Sequence, residues 1–308
     1  MRKLDTQLYC NDQLGICGLA PDEIDDKPVK RKKKLELYVF TDPLCPECWA
    51  FEPALRKLMI EYGHYFSVRF FVTSHLDAWN ESSEQKKRNW KNLAQQYEKT
   101  ASRSGMSCDG DIWKENPIHS ARIPALAIKA AEMQGRQLGI VFFRRLRELL
   151  FIHKQNIGDE NILLRCAEDV GLDVEEFQKD IHSECSLRAL QCDMKTTMEM
   201  EVERAPTFIF FNDRIEDEGL KVSGLYPYDV YVAILKEMLG EDPLPAKTIN
   251  LVEFMRRYQF VATKEVAVVF DWSEREAKAQ LKKLVLQQKI EQVPVKYGTF
   301  WRYLPSSS

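Results

Sequence analysis

Apolar positions near residue 40 predict a strand, a helix and a second strand in succession. The run Leu35–Thr41 is short, mostly apolar and rich in β-forming residues, so we predict a strand there. The next apolar positions recur at helical spacing: Leu55, Leu58, Met59 and Tyr62. Gly63 ends that helix, and Phe66–Thr73 is a second strand. This order predicts a β-α-β unit, in which a right-handed crossover joins two parallel strands.

The pattern then becomes helical over a long stretch. From about residue 75 to 200 the apolar positions follow helical spacing, and four glycines separate the segments: Gly105, Gly135, Gly158 and Gly171. Strand character returns only at APTFIFFNDR (205–214) and LKVSG (220–224), before a last helix with the sequence PYDVYVAILKEML. The whole pattern predicts an α/β fold with a large helical insertion.

Both ends of the chain differ from this middle part. Residues 1–34 are charged and poor in apolar positions, so we predict a flexible N-terminal extension. Residues 241–248 contain two prolines and little to bury, which is typical of a linker. Beyond them, residues 249–308 have three helical segments and two strands. We therefore predict a first domain over residues 35–240 and a small winged-helix-like α+β domain after the linker.

Composition narrows the class of protein. Of the 308 residues, 44% are hydrophobic and 30% are charged, and the net charge is −3, as in ordinary globular proteins. No apolar run approaches the roughly 20 residues of a membrane span, and the N-terminus lacks the apolar segment of a secretory signal. We therefore expect a cytoplasmic protein without membrane contact, whose eight cysteines do not form a disulfide framework.

The sharpest chemical signal is Cys45-Pro46-Glu47-Cys48, placed between the first strand and its helix. A helix N-terminus stabilises negative charge, so this position favours a redox-active Cys45 thiolate. The Glu47 carboxylate opposes this effect, and we expect it to raise the pKa of Cys45. In a reducing cytoplasm the pair would rest as a dithiol.

The other cysteines give no comparable signal. A zinc site would need two ligands besides Cys45 and Cys48, and the remaining close pair, Cys10 and Cys17, lies in the N-terminal extension, so we predict no metal site. Four more fall in the helical block, where a small buried side chain is the ordinary role of cysteine: Cys108, Cys166, Cys185 and Cys192. Of these, only Cys185 and Cys192 come into question as a redox pair.

Three features make the chain similar to the DsbA-like branch of the thioredoxin superfamily, including its FrnE-type relatives. They are the segment FTDPLCPECWAFEP, the interposed helical block, and Ala205-Pro206-Thr207 ahead of FIFF. The resemblance covers about residues 35–239 and implies a thioredoxin fold in which Pro206 is a cis-proline beside Cys45 and Cys48. The strong oxidants of this branch have a histidine at the position of Glu47, so we expect weak oxidising power here.

The segment DPLCPECW, the lack of a signal sequence and the appended C-terminal module narrow this resemblance further, to the bacterial ClpXP adaptors of the SpxH family, also called YjbH. The resemblance implies a protein that binds the transcription regulator Spx, presents it to the ClpXP protease, uses no cofactor and catalyses no reaction itself. Members of this family often have an N-terminus rich in histidine and cysteine, whereas residues 1–34 here contain Cys10 and Cys17 and no histidine.

Three functions remain open at this point. An adaptor needs exposed apolar or aromatic contacts, and the candidates near the dithiol are Leu44, Trp49 and Ala205. A thiol oxidoreductase would use Cys45 as the nucleophile, Cys48 to resolve the mixed disulfide and Pro206 to shape the substrate groove. A transcription regulator would bind DNA through the C-terminal domain.

Charge favours a protein contact for that C-terminal domain. From Ile249 onward ten basic residues stand against six acidic ones, which gives +4. However, the helix that would read DNA bases opens with Glu274 and Glu276, and carboxylates at this position repel phosphate. We therefore predict that the domain contacts protein and does not bind nucleic acid directly.

Overall fold

The structure is a computed structural model that describes residues 8–11, 16–19, 34–73, 83–214, 218–247 and 249–305. Two short strands near the N-terminus, β1 (Leu8–Asn11) and β2 (Ile16–Leu19), pair antiparallel as a hairpin. The sequence pattern did not predict this hairpin, because strands of four residues show too little alternation to be recognised. The rest of the predicted extension, apart from Lys34, lies outside the described residues.

A four-stranded sheet organises the first 240 residues. Its strands are β3 (Leu35–Thr41), β4 (Phe66–Val72), β5 (Thr207–Asn212) and β6 (Leu220–Ser223), in the spatial order β4-β3-β5-β6. β3 and β4 are parallel, as the β-α-β pattern predicts, and β5 runs antiparallel to both β3 and β6. The register places Leu37 of β3 between Val68 and Phe210, so the middle of the sheet is apolar.

The crossover from β3 to β4 contains the dithiol segment. The sequence spacing predicts one helix, whereas the structure has two, α1 (Pro46–Ala50) and α2 (Glu52–Tyr62), which meet at Phe51. Pro53 lies in the first turn of α2, where a residue without an N–H is tolerated. Because Pro53 cannot donate to the carbonyl of Trp49, a continuous helix would lose a hydrogen bond at this point, which explains the break.

Seven helices occupy the described part of the stretch between β4 and β5, where the sequence predicts a helical block. They are α3 (Ser83–Ser104), α4 (Ile112–Glu115), α5 (Arg122–Met133), α6 (Arg136–Phe151), α7 (Glu160–Asp169), α8 (Val174–Ile181) and α9 (Glu184–Glu199). α10 (Tyr228–Leu239) follows β6. No helix among the described residues combines the length and apolar character needed to cross a bilayer.

Two apolar cores hold these elements together. In the first, α2 and α10 pack with β3 and β5 through side chains such as Leu37, Leu55, Phe208 and Tyr231. The second core fills the helical insertion and also contains Leu44 and Trp49 from the dithiol segment. The residues around the cysteines therefore belong to the core of the insertion rather than to the core of the sheet.

The chain after residue 249 forms three helices and a three-stranded antiparallel sheet of order β7-β9-β8. The elements are α11 (Leu251–Tyr258), β7 (Phe260–Ala262), α12 (Thr263–Val269), α13 (Glu274–Leu286), β8 (Ile290–Pro294) and β9 (Thr299–Tyr303). Ser273 caps α13, its Oγ accepting the Glu276 N–H at 3.2 Å. β7 was missed because it has only three residues. The winged-helix-like assignment stays a prediction.

The described part of the predicted linker lies along α2. The Ala246 N–H donates to the Glu61 carbonyl oxygen at 2.7 Å, and the Leu244 N–H donates to the Tyr65 hydroxyl at 3.1 Å. Lys34 pairs with Glu241, the first residue of this linker. The segment is therefore fixed to the first 240 residues by hydrogen bonds at several points.

Candidate functional site

Cys45 lies at the turn between β3 and α1, where hydrogen bonds fix its position. The Leu44 N–H donates to Asp42 Oδ1 at 2.7 Å, and the Cys45 N–H donates to the Asp42 carbonyl oxygen at 3.1 Å. Cys45 is the N-cap of α1, and its Sγ accepts the Cys48 N–H at 3.2 Å. Both cysteines are free thiols; Cys45 is half-buried and Cys48 is buried. This redox turn, Asp42 to Cys48, thus holds the Cys45 side chain half-buried at the N-terminus of α1.

The segment around Pro206 lies against the redox turn. The Ala205–Pro206 peptide bond is cis, and the Cys45 Sγ lies 3.5 Å from the Ala205 carbonyl oxygen, to which the thiol donates. The Gly224 N–H donates to the Pro206 carbonyl oxygen at 2.8 Å, so the loop after β6 borders the site as well. The fold therefore brings together two segments that the helical insertion separates in sequence.

The surroundings of Cys45 keep its thiol protonated. The side-chain hydrogen bond with Cys48 raises the pKa of Cys45 most, followed by burial and by the negative charges of the Cys48 thiolate and the Asp42 carboxylate. The Cys48 backbone N–H acts in the opposite direction. The pKa of Cys45 consequently lies well above that of an ordinary cysteine. At neutral pH the nucleophilic thiolate is a minor species.

Glu47 does not play the part that the sequence suggested. Its carboxylate accepts a hydrogen bond from Thr100 Oγ1 at 2.7 Å and pairs with Arg103, both on α3. The carboxylate that acts on the pKa of Cys45 is that of Asp42. The expected direction of the shift is therefore right, but the expectation that Glu47 causes it is wrong, because an arginine distant in sequence binds Glu47.

Two of the three predicted contact residues are inaccessible to a partner. Leu44 is 8% exposed and Trp49 is fully buried, because both pack into the core of the insertion. The expectation that these two side chains form exposed anchors is wrong. Ala205 is half-buried beside Cys45 and stays a candidate.

The other cysteines do not form redox pairs in the described structure. Cys185 and Cys192 both lie on α9, seven residues apart, which separates their Cα atoms by about 10 Å and rules out a disulfide between them. Cys108 and Cys166 are buried, and burial raises the pKa of both thiols.

Cys10 and Cys17 face one another across the N-terminal hairpin. The backbone register of β1 and β2 pairs them directly. Their side chains lie outside the described part of the structure, so the predicted absence of a metal at this pair stays a prediction.

One carboxylate cluster in the described residues has the size of a cation site. It consists of Glu98, Asp109 and Asp111. The ammonium of Lys296 already lies among these groups, 2.8, 2.9 and 2.6 Å from their oxygens. Lys296 follows β8, so this cluster is a contact between the C-terminal hairpin and the helical insertion.

Trp49 connects the redox turn with the C-terminal part. Its ring stacks on Phe151 of α6 at 5.5 Å and on Phe300 of β9 at 6.3 Å between ring centroids. Its Nε1–H donates to the Ser107 carbonyl oxygen at 2.9 Å. The residue next to Cys48 is thus held by both the insertion and the C-terminal sheet.

A buried ion network continues from Trp49. The Arg144 guanidinium lies 4.3 Å from the Trp49 ring centroid and forms a bidentate pair with Glu265 of α12, at 3.0 and 3.1 Å. Arg56 of α2 reaches the same carboxylate at 3.1 Å. Glu265 is fully buried and also accepts the Ala262 N–H at 2.7 Å. A single carboxylate therefore ties α12 to both α2 and α6.

Two further glutamates balance the charge. Glu52 pairs with Arg147 at 2.8 Å, and Glu148 pairs with Arg144 at 2.8 Å. Burial acts to raise the pKa of Glu52, but Arg147, Arg144 and Arg56 outweigh it and hold this pKa below its usual range. We call the whole set the ion junction: Glu52, Arg56, Arg144, Arg147, Glu148 and Glu265. We did not predict this ion junction from the sequence. The sequence does contain a sign of it, namely charged residues at helical positions that face the core, as in FFRRLRELLF.

Close relatives match the chain along almost its full length. The thioredoxin family model matches residues 38–233. A ClpXP adapter protein SpxH from Halalkalibacterium halodurans is 54% identical, over 97% of this chain and 98% of that protein. A protein of the same name from Bacillus subtilis is 50% identical, over 90% of this chain and 92% of that protein.

Solved structures agree on the fold. A putative protein disulfide isomerase from Nitrosomonas europaea has a TM-score of 0.57 at 15% identity and covers 68% of this chain and 98% of its own. The cytosolic disulfide reductase DsbM from Pseudomonas aeruginosa has a TM-score of 0.50 at 18% identity and covers 67% and 98%. These identities support a shared DsbA-like fold and no more. From its relatives, the chain belongs to the thioredoxin family and, within it, to the SpxH family of ClpXP adapter proteins.

Proposed function

We propose that this protein is a cytoplasmic adaptor that binds the transcription regulator Spx and delivers it to the ClpXP protease, without making or breaking a covalent bond itself. The observation that carries the proposal is 54% identity over 97% of the chain to a ClpXP adapter protein SpxH. Because the match spans 97% of this chain, it includes the C-terminal part as well as the thioredoxin fold.

The state of the Cys45 thiol supports a scaffold rather than an enzyme. Exchange between thiols and disulfides requires a thiolate, and the elevated pKa of Cys45 makes this form scarce at neutral pH. Arg144 of the ion junction contacts the ring of the buried Trp49, so the turn is also supported by packing that does not involve the thiol.

The surface beside Cys45 is the candidate contact for the client. Ala205 is half-buried there, and Tyr226, in the loop whose Gly224 bonds to Pro206, is 50% exposed. Each of the two segments that border Cys45 thus offers one candidate, and the exposed ring of Tyr226 suits a protein contact because tyrosine is enriched at interfaces. We propose Ala205 and Tyr226 as client-binding residues.

A thiol-disulfide oxidoreductase is the second candidate. The observation in its favour is the geometry: Cys45 caps α1, accepts the Cys48 N–H and lies beside a cis-proline. In this reaction the Cys45 thiolate would attack a client disulfide and release one client thiolate. Cys48 would then displace the second client thiol, leaving an oxidised Cys45–Cys48 pair and a reduced client.

Degradation of Spx by ClpXP in a purified system separates the two functions. We expect the C45A/C48A variant to support degradation at the rate of the unaltered protein, because a scaffold needs no thiol. As a matched variant, A205E places a charge beside the same turn and should slow degradation severalfold. Loss of degradation in C45A/C48A, with A205E unaffected, would instead establish thiol chemistry as the function.

A further inference from the structure

α13 exposes a row of cations to solvent. Arg275, Ala279, Lys282 and Leu286 follow the spacing i, i+4, i+7 and i+11, which places them on one helix face, and all are exposed. Lys278 and Lys283 flank this face and are exposed as well. The opposite face consists of Ala277, Leu281 and Leu284, which are buried in the C-terminal core. The orientation of α13 is thus fixed by its apolar side.

Among the described residues, no carboxylate neutralises the three cations Arg275, Lys278 and Lys282, because none lies within ion-pair distance of them. Four of the six carboxylates after residue 249 pair with cations away from this face, as Glu265–Arg144, Asp271–Lys57, Glu274–Lys264 and Glu291–Arg302. Four of the ten cations after residue 249 thus lie on α13, and three of them, Arg275, Lys278 and Lys282, point to the same side of the helix.

An apolar side chain ends the row. Leu286 is 86% exposed, more than any other large hydrophobic residue that the structure describes. The backbone of a DNA duplex would offer phosphates to the cations but no apolar partner to Leu286. Glu276 at the start of the helix would also repel phosphate. A protein helix offers both carboxylates and apolar side chains. The combination of charge and exposed leucine thus favours a protein partner.

We infer that the face formed by Arg275, Lys278, Lys282 and Leu286, the basic face, docks an acidic amphipathic helix of a partner protein. From Arg275 to Leu286 it extends about 16 Å, so a partner helix of three turns would match it. The inference goes beyond the proposed function, because an adaptor joins two proteins and needs a second surface besides the one near Cys45. The basic face supplies a surface of defined chemistry for this second contact.

Fluorescence anisotropy with the full chain tests this docking surface directly. The probe is a labelled helical peptide of about 18 residues, with glutamates at i, i+4 and i+7 and leucines beside them; its twin has glutamine in place of glutamate. At low salt the acidic peptide should bind at least about tenfold more tightly than its twin. The R275Q/K278Q/K282Q variant should lose about tenfold, because each exposed ion pair contributes roughly two- to fivefold. Leu286→Ser should weaken binding about threefold.

A control variant removes the same charge elsewhere. K91Q/R122Q/R136Q changes three exposed cations of the helical insertion and should bind the acidic peptide within twofold of the unaltered protein. The single variants K282E and K91E repeat the comparison with one substitution each, and K282E should weaken binding more.

Three results would overturn the inference: equal losses in the two triple variants, equal binding of the two peptides, or tighter binding of a 20-base-pair DNA duplex than of the acidic peptide. Because this assay contains neither Spx nor ClpXP, its failure and a failure of the adaptor function are distinguishable.

Discussion

The redox turn and the ion junction lie on two sides of Trp49 and differ in how their polar groups are held. In the turn, the Cys45 thiol is half-buried and its neighbours are a thiol, a backbone carbonyl and the carboxylate of Asp42. In the junction, the fully buried Glu265 is bound by two arginines and a backbone N–H. Strong pairing of opposite charges thus stabilises the contact between α12 and the rest of the chain, not the Cys45 thiolate.

This contrast shows why the motif Cys45-Pro46-Glu47-Cys48 does not by itself establish a reactive cysteine. A reactive cysteine needs a nearby cation or helix terminus that outweighs burial. Arg103, the cation of α3 next to the turn, is bound to Glu47, and Arg144 is bound to the junction glutamates. Cations that could lower the pKa of a cysteine are therefore present, but they pair with carboxylates and thereby link helices to one another. The Cys45 thiol consequently stays protonated at neutral pH and is a weak nucleophile in this state.

The largest expected effect comes from breaking the junction at its centre. Glu265→Ala would leave Arg144 and Arg56 buried without their shared partner, which typically costs 3–5 kcal/mol, so we expect a loss of about 4 kcal/mol in the free energy of unfolding. Guanidinium denaturation followed by tryptophan fluorescence measures it. Glu291→Ala removes an exposed ion pair with Arg302 and should cost about 1 kcal/mol or less. Equal losses in both variants would show that the junction does not stabilise the fold.

Trp49 is the residue that the turn and the junction share, and its indole N–H allows a milder test. Trp49→Phe keeps an aromatic ring but leaves the buried Ser107 carbonyl oxygen without its donor, so we expect a loss of about 1–3 kcal/mol in the free energy of unfolding. The control is Trp272→Phe, which changes a half-buried ring stacked on Phe270 and should cost less than about 1 kcal/mol. A smaller loss at position 49 than at 272 would contradict the contribution of the hydrogen bond to Ser107.

The part of the fold that the sequence predicts is the part set by local pattern. The β-α-β unit, the helical insertion and the helices after residue 249 all follow from apolar spacing, and the thioredoxin match over 38–233 confirms the fold. The short strands β1, β2 and β7 were missed because three or four residues carry too little pattern.

The contacts around the dithiol are a different case, because they depend on pairs far apart in sequence. Arg144 and Glu265 are 121 residues apart, and Glu47 and Arg103 are 56 apart. No local spacing indicates such pairs. For the same reason the sequence could place Trp49 next to the cysteines but could not show that Phe300 covers it.

In the redox turn we expect a smaller effect, which is measured as the rate at which Cys45 is alkylated. Cys48→Ala removes the side-chain hydrogen bond that raises the pKa of Cys45 most, together with the charge of the Cys48 thiolate, so the pKa should fall. Each unit of decrease gives about ten times more thiolate at neutral pH, and we expect Cys45 to be alkylated by iodoacetamide about three- to tenfold faster at pH 7. Mass spectrometry of the Cys45 peptide across a range of pH measures this rate.

Asp42→Asn is the matched variant for the turn, since it removes a weaker contribution to the same pKa. It should accelerate alkylation of Cys45 less than Cys48→Ala does. If neither variant changes the rate, the elevated pKa of Cys45 has another origin than its two neighbours, and the contrast between turn and junction loses its electrostatic basis.

The smallest expected effect is at the contact between Lys296 and the cluster Glu98, Asp109 and Asp111. The Lys296 side chain is 34% exposed, so water screens these pairs, and Lys296→Met should lower the free energy of unfolding by only about 1 kcal/mol. A sharper readout is Asp111, because hydrogen bonds from Lys296 and then from Lys114 hold its pKa at about 2 instead of 3.8. In the variant this pKa, followed by carboxyl NMR, should rise.

The sign of the pH dependence follows from that lowered pKa. A carboxylate whose pKa is lower in the folded state stabilises the protein above its unfolded value of 3.8, and this contribution disappears as the pH falls through about 2. The stability difference between the unaltered protein and Lys296→Met should therefore be constant near neutral pH and shrink below about pH 4. Lys154→Met is the control, since its lysine is equally exposed but pairs with Glu115 alone. Lys154→Met should leave the pKa of Asp111 nearer to about 2 than Lys296→Met does. An equal rise in both variants would show that Lys296 does not lower this pKa.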